Sequence, residues 1–338
     1  MTLIAHRRSR QAASPSRPAG FSLIELMVAL TIGLVMIAGA GFVFAKSRDI
    51  YRTMETTARL QENARYAMSI IETDVRMANF WGLLSYPDLF TNSATASVPF
   101  TTSVGNNCGS TSAFVTDVAK SVEGTNNIYS LSCTANGSGA AAGTDVLIVR
   151  RASTDRIPQT SAGVSAENGR LLVESSRTQA EIFQATSSGA IPAAYAQSDP
   201  VGQPPLADTR RLIVNAYYIS ADSSVAAGYP SLRRKTLITG PGFQDEEIIP
   251  GVEDMQVQFG VDVNDDRNAD VFVNPDSVPA GGIVVAARIW LRVRAQDIDV
   301  AHVDSQPYVY ADRNQAAPND QVRRLVVMQT IQFRNTRT

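Results

Sequence analysis

The strongest constraint on this chain is the run FSLIELMVALTIGLVMIAGAGFVFA, residues 21–45, in which Glu25 is the single charge. As an α-helix the run is about 37 Å long, enough to cross a bilayer core of about 30 Å. Before it stands MTLIAHRRSRQAASPSRPAG, residues 1–20, which is polar, basic and interrupted by Pro15 and Pro18. That composition reads as a leader and not as a piece of fold. Arg7, Arg8, Arg10 and Arg17 all precede the apolar run, with no acid among them. Their position sets an orientation with the leader in the cytoplasm and the remainder outside. Because those four arginines leave with the leader, its removal takes the formal net charge from −2 to −6.

An ordinary secretory signal has a shorter apolar core followed by a small-x-small cleavage site, and a carboxylate near its start is foreign to it. A plain signal anchor leaves Gly20 followed by Phe-Ser-Leu-Ile-Glu unexplained. The string Gly20-Phe21-Ser22-Leu23-Ile24-Glu25-Leu26 resembles the class III signal of type IV pilins and type II secretion pseudopilins. The resemblance implies that a prepilin peptidase/N-methyltransferase cuts after Gly20 on the cytoplasmic side and methylates the new amine on Phe21. The apolar helix then stays in the chain. An ionised carboxylate within a bilayer costs about 2.5–3.5 kcal/mol even on the lenient insertion scale, so it is kept where it has a partner. In the family the Glu at this place meets the amine of a neighbouring subunit, which assigns Glu25 an assembly role; snorkelling to the membrane interface is its alternative. Gly33, Gly39 and Gly41 allow close helix approach in lipid and also weaken the helix locally.

Residues 46–80 hold no Gly and no Pro. Ile50, Met54, Ala58, Ala64, Met68, Ile71 and Val75 form one apolar stripe at helical spacing, and mixed charge lies elsewhere. The pattern predicts an amphipathic helix that lays one face on a globular domain and continues the membrane helix to about residue 79. Its charges, Glu72, Asp74 and Arg76 included, read as a solvated face. Two runs sharpen the resemblance: Leu60-Gln61-Glu62-Asn63-Ala64-Arg65-Tyr66-Ala67 and Asp74-Val75-Arg76-Met77-Ala78-Asn79-Phe80-Trp81-Gly82. They are similar to the corresponding runs of PilW-type minor pilins, and J-type pseudopilins share much of the helix pattern. The continuous resemblance covers residues 20–82.

Beyond Gly82 the chain becomes rich in Ser, Thr, Asn and Gly. Residues 83–143 read as loops with short strands. Strand-like runs at 145–151, 170–174, 212–220, 235–239, 255–263, 283–293 and 325–333 are β-branched or alternating and are separated by turn residues. Segments 152–169 and 175–209 read as loops. Cys108 and Cys133 lie outside any metal-binding spacing. In an exported chain they pair as a disulfide, which would close a loop of about 26 residues and contribute roughly 3 kcal/mol in the chain-entropy model. Two free thiols are the alternative. Asp262, Asn264, Asp266, Asn268 and Asp270 place oxygens on alternate positions, similar to the start of a calcium loop. Arg267 stands where such loops need Gly, and Val273 where they need a bidentate Glu, so a solvated turn competes with a Ca2+ site.

No catalytic arrangement stands out. The two histidines are His6, in the leader, and His302, so a zinc site or a Ser/His/Asp triad lacks its parts. With charged residues at 18% and a net charge of −2 there is no basic patch for nucleic acid. The expectation is an α+β, pilin-like chain: leader 1–20, membrane and assembly half-helix 21–45, amphipathic half 46–82, and an exported β-rich domain 83–338 with a mainly antiparallel sheet. The resemblance implies a minor pilin in type IV pilus assembly or priming, with no required cofactor. Its implied partners are the prepilin peptidase, other minor pilins, the major pilin and inner-membrane lipid. Its implied location is the inner membrane, with a periplasmic domain, and then the fibre at the cell surface. A J-like pseudopilin of type II secretion and a pilus-tip adhesin or binding module are the alternatives.

Overall fold

The computed structural model describes residues 20–84, 89–90, 102–111, 113–192 and 207–335. Apart from Gly20, the leader lies outside the described residues. The chain divides into two units, residues up to Glu55 and residues from Thr56 onward. Helix α1 (Leu23–Arg76) contributes to both.

In the second unit, the carboxyl part of α1 packs on antiparallel sheets. One sheet contains β1 (Val122–Thr125), β2 (Val146–Ile157), β3 (Leu171–Ser175), β4 (Ala180–Gln184), β5 (Asp208–Ser220), β6 (Ser231–Ile238) and β7 (Gly242–Pro250). Strand β5 organises it: β2 runs along one edge, while β3 pairs with the start of the other edge and β6 with its end. The other sheet runs in the order β13 (Val322–Gln332), β10 (Ile283–Ile298), β8 (Val252–Asp262) and β9 (Val271–Val273). A small hairpin, β11 (Tyr308–Tyr310) and β12 (Arg313–Gln315), completes the strands. Helices α2 (Ala113–Thr116) and α3 (Ser161–Ser165) are single turns.

Period-two patterning explains β10. Ala287, Ile289, Leu291 and Val293 are fully buried toward the helix, while Arg288, Trp290 and Arg292 alternate with them on the other face. The helix answers with Leu60, Ala64, Ala67, Met68, Ile71 and Val75, all buried at three- and four-residue spacing. These side chains form one core with Leu147 and Val149 of β2, Tyr217 and Ile219 of β5, Met255 and Val257 of β8, and the inward residues of β10. The helix therefore spans both sheets. Of the expected apolar stripe, Ala64, Met68, Ile71 and Val75 pack, while Ile50, Met54 and Ala58 are exposed; Leu60 and Ala67 join the packed face.

Asp74 departs from the expected solvated face. It is buried, with 4% of its surface exposed. Arg151 of β2 donates to its Oδ1 from Nε (3.1 Å) and Nη2 (2.6 Å), and Asn215 and Tyr217 of β5 donate to Oδ2. Burial pushes the Tyr217 hydroxyl well above its usual range, and the Asp74 carboxylate adds to the shift. The helix ends at Arg76, three residues before the expected 79, because Met77–Asn79 form turns and Asn79 takes a positive φ of 62°. Reciprocal amide bonds tie that end to the carboxyl end of the chain: Asn79 Nδ2 donates to the Asn335 carbonyl, and Asn335 Nδ2 to that of Ala78.

All seven expected strands form. Two expected loops contain regular structure: β2 runs on to Ile157 and α3 follows it, and β4 and the start of β5 lie within 175–209. The Cys108–Cys133 disulfide is present. Both cysteines sit in a second core with Trp81, Phe90, Val115, Leu171 and Leu212.

Two buried carboxyls in this unit, Glu174 and Asp145, are pushed up by burial. Burial raises Glu174 to about 7, against bonds from Thr209 and Gln159 that lower it. Burial likewise raises Asp145 to about 7, although the amides of Asn127 and Val257 donate to it. Unfolded carboxyls titrate near 4. Between pH 4 and 7 these two groups therefore hold more protons in the folded chain, and their contribution to stability falls as pH rises through that window. Glu174→Gln is expected to raise stability at pH 8 by about 2 kcal/mol and by less at pH 5. Urea unfolding at the two pH values checks this; a pH-independent difference would contradict it.

Candidate assembly site at the amino end

Helix α1 starts at Leu23, directly after Ser22. The Ser22 N–H donates to Glu25 Oε2 at 3.1 Å, and the Leu26 N–H closes the first turn on the Ser22 carbonyl at 3.2 Å. This is the reach-back of a capping box, in which a Glu at the third helical position satisfies the amide just outside the helix. A carboxylate there also faces the positive end of the helix dipole. The pattern Ser22-x-x-Glu25 carried this signal, which neither the assembly role nor the snorkelling alternative for Glu25 used.

The surface after the cap is apolar and open. Phe21, Leu23 and Ile24 are exposed, and so are the large apolar side chains through Phe44, with Phe21 at 88% and Ile37 at 76%. No residue of the most apolar window of α1 is buried within the chain, and the helix is long and apolar enough to cross a membrane. The Thr31 hydroxyl donates to the Val28 carbonyl at 2.9 Å, so the helix satisfies this polar group internally. A Cβ added at Gly20, Gly33, Gly39 or Gly41 would meet nothing within 4 Å. Gly20 and Phe21 are both exposed. A surface this apolar is stable only against lipid or other helices.

The structure brings the five residues of the calcium-like pattern onto one loop and gives the side-chain oxygens of Asp262, Asn264, Asp266 and Asp270 partners within it, while Asn268 donates to Asp266. The Asp262 carboxylate accepts the N–H groups of Asn264 (3.1 Å), Asp265 (2.7 Å), Asp266 (3.3 Å) and Arg267 (2.7 Å). Burial opposes its ionisation, but the four amides prevail and hold the carboxyl below its usual range. Asp270 accepts from the Val263 N–H and the Asn264 side-chain amide. Arg267 makes the sharp turn itself, at a φ of 71°. Among the described residues no group of three or more His, Cys, Asp or Glu side chains is placed to hold a metal ion. A loop closed on its own amides predicts that calcium leaves the melting temperature of the detergent-solubilised chain unchanged. A rise with calcium and not with magnesium would instead establish the cation site.

The sequence comparisons fall on the two ends of the chain. A family model described as prokaryotic N-terminal methylation motif matches residues 15–41, which contain Gly20, Phe21, Glu25 and the exposed helix. A family model described as type IV pilus-assembly protein W matches residues 216–335, from late β5 through the whole of the β13–β10–β8–β9 sheet. The pilin-like protein PilA3 of Thermus thermophilus is 31% identical over 64 residues, which are 18% of this chain. The chain spans 28% of the length of that curated relative. No solved structure matches. With the methylation motif on its apolar helix and the PilW region in its sheets, the chain is similar to type IV prepilins at its amino end and to PilW-type pilus-assembly proteins in its carboxyl-terminal third.

Proposed function

We propose that this chain is a minor pilin that takes part in assembling or priming a type IV pilus. The observation that carries the reading is the bare apolar helix that begins three residues after Gly20, with Glu25 as its only charge up to residue 45, inside the matched methylation motif. Prepilin peptidase removes residues 1–20 and methylates the amine of Phe21. The helix holds the chain in the inner membrane with the sheets outside. Assembly is non-covalent: apolar helices bundle with those of other minor pilins and the major pilin. Glu25 exchanges its own Ser22 amide for the cationic amine of a neighbour, a stronger charge-assisted bond in a dry bundle. Because that amine exists only after cleavage, one charge pair links processing to assembly.

Mass spectrometry of the chain extracted from membranes is expected to find an N-methylated Phe21 at the amino end, and Gly20→Ala is expected to retain the leader. A Gly20→Ala chain that matures to the same mass would overturn the processing step. Glu25→Gln keeps an acceptor for the Ser22 amide but removes the charge, so the chain is expected to insert normally and be lost from sheared fibres. Incorporation equal to wild type would contradict the charge pair.

A further inference from the structure

The β11–β12 hairpin covers one part of the outer face of the β13–β10–β8–β9 sheet. There the Tyr310 hydroxyl donates to Asp254 at 2.6 Å, and the Arg292 guanidinium sits 5.0 Å from the centre of the Tyr308 ring. Nearer the start of β10, Arg288 and Trp290 point outward and are half-buried. Arg288 lies between Gln258 of β8 and Thr330 of β13, and Trp290 lies opposite Met328. Thr330 is exposed, and Met328 is 56% exposed.

Arg288 is held in a fixed orientation on this patch. Its guanidinium carbon is 3.8 Å from the centre of the Phe272 ring and 6.0 Å from that of Trp290, and its Nε donates to Thr330 Oγ1 at 3.2 Å. Gly260 of β8 makes room for the Phe272 ring. A Cβ at that position would stand 3.0 Å from Phe272 Cε1 and 2.8 Å from the Ala269 Cβ. A guanidinium held through its face and its Nε presents its two Nη groups as a preorganised fork.

That fork lacks an acceptor. Among the described residues nothing takes a bond from Nη1 or Nη2 of Arg288, or from the Trp290 indole N–H. Elsewhere in the unit guanidiniums meet carboxylates: Arg292 meets Glu253, Arg313 meets Asp254, and Arg151 meets Asp74. The patch instead gathers donors, namely the Arg288 fork, the Trp290 N–H and the Thr330 hydroxyl, beside the apolar surfaces of Phe272, Trp290 and Met328. An ionised carboxylate accepts and does not donate, and it matches a guanidinium fork bidentately.

We propose that this patch receives an acidic side chain, Asp or Glu, from a different polypeptide, with the apolar neighbours of that side chain lying on Trp290 and Met328. Charge and composition select this occupant. An anionic membrane surface is read by clusters of roughly four to eight cations, whereas this patch offers the single charge of Arg288. A free phosphate would leave the rings beside the fork uncovered. Two-fold pairing of two copies through the patch would set donors against donors and one unanswered Arg288 against the other, which is repulsive. Arginine and aromatic side chains are the types enriched where protein partners make their strongest contacts. The patch belongs to the fold and does not depend on piliation.

A photo-cross-linking residue at position 328 reads the occupant, in the full chain in its native membrane, with isotopically heavy and light copies co-expressed. The expected link joins one segment of one other polypeptide, with an Asp or Glu beside the linked residue. Arg288→Gln is expected to lower the yield of that link about tenfold at unchanged melting temperature. Replacing the partner's acid by its amide, which leaves this chain untouched, is expected to do the same. With Arg288→Glu the link is expected to vanish, and to return when the partner's acid is replaced by Lys. Links to lipid, heavy-to-light links, an acid-free segment, no link, or an undiminished link after the partner's substitution or in a folded Arg288→Gln chain would each overturn the proposal.

Discussion

A carboxylate buried between a helix and a sheet must find all its partners in one place, and Asp74 imposes that condition on this fold. Arg151, Asn215 and Tyr217 come from neighbouring strands, β2 and β5, and meet the two oxygens of one side chain. Burying an ion pair adds little net stability compared with an apolar contact, but breaking one leaves a charge stranded in the core. The apolar stripe of Leu60, Ala64, Ala67, Met68, Ile71 and Val75 could slide by a turn at modest cost. The Asp74 bonds cannot, so they specify the register in which the stripe packs. The helix end, the Asn79–Asn335 bonds and the β13 terminus are built on that register.

The features legible in sequence are those with a strong period or composition. The apolar run before residue 45 was plain, as were the seven strands with β-branched or alternating patterns and the pairing of two cysteines in an exported chain. Asp74 was illegible because a charged residue on an amphipathic helix reads as solvated until Arg151, Asn215 and Tyr217 are brought to it from 77 or more residues away. Strand β4 was missed because Ala180–Gln184 is short and takes its stability from pairing with β3. Strand β7 is not among the expected strands because three consecutive acids interrupt its apolar pattern; Asp245, Glu246 and Glu247 are accommodated by pairing with Arg233, Arg234 and Lys235 on β6. Ile50, Met54 and Ala58 continued the helical period without meeting a sheet, so periodicity alone overran the packed region.

The amino-end site was legible as a motif and incompletely as a mechanism. Gly20 and Phe21 are exposed just ahead of α1, and Glu25 lies in its first turn. The structure adds that Glu25 already has a partner, the Ser22 amide. In the assembly proposed above, Glu25 would exchange one partner for another and not be rescued as an isolated charge. Division of labour follows along α1: its beginning is free of packing within the chain, and from Leu60 to Val75 it is part of the core.

Hydrogen exchange on the detergent-solubilised chain tests this division most directly. Amides of residues 60–76 should be as protected as the central strands β5 and β10, and Asp74→Ala should lower their protection together with that of the strands. Protection in residues 23–45 should be unaffected by the substitution. If residues 60–76 instead exchanged freely while β5 and β10 stayed protected, the helix would be an appendage of the sheets, and the account built on Asp74 would be wrong.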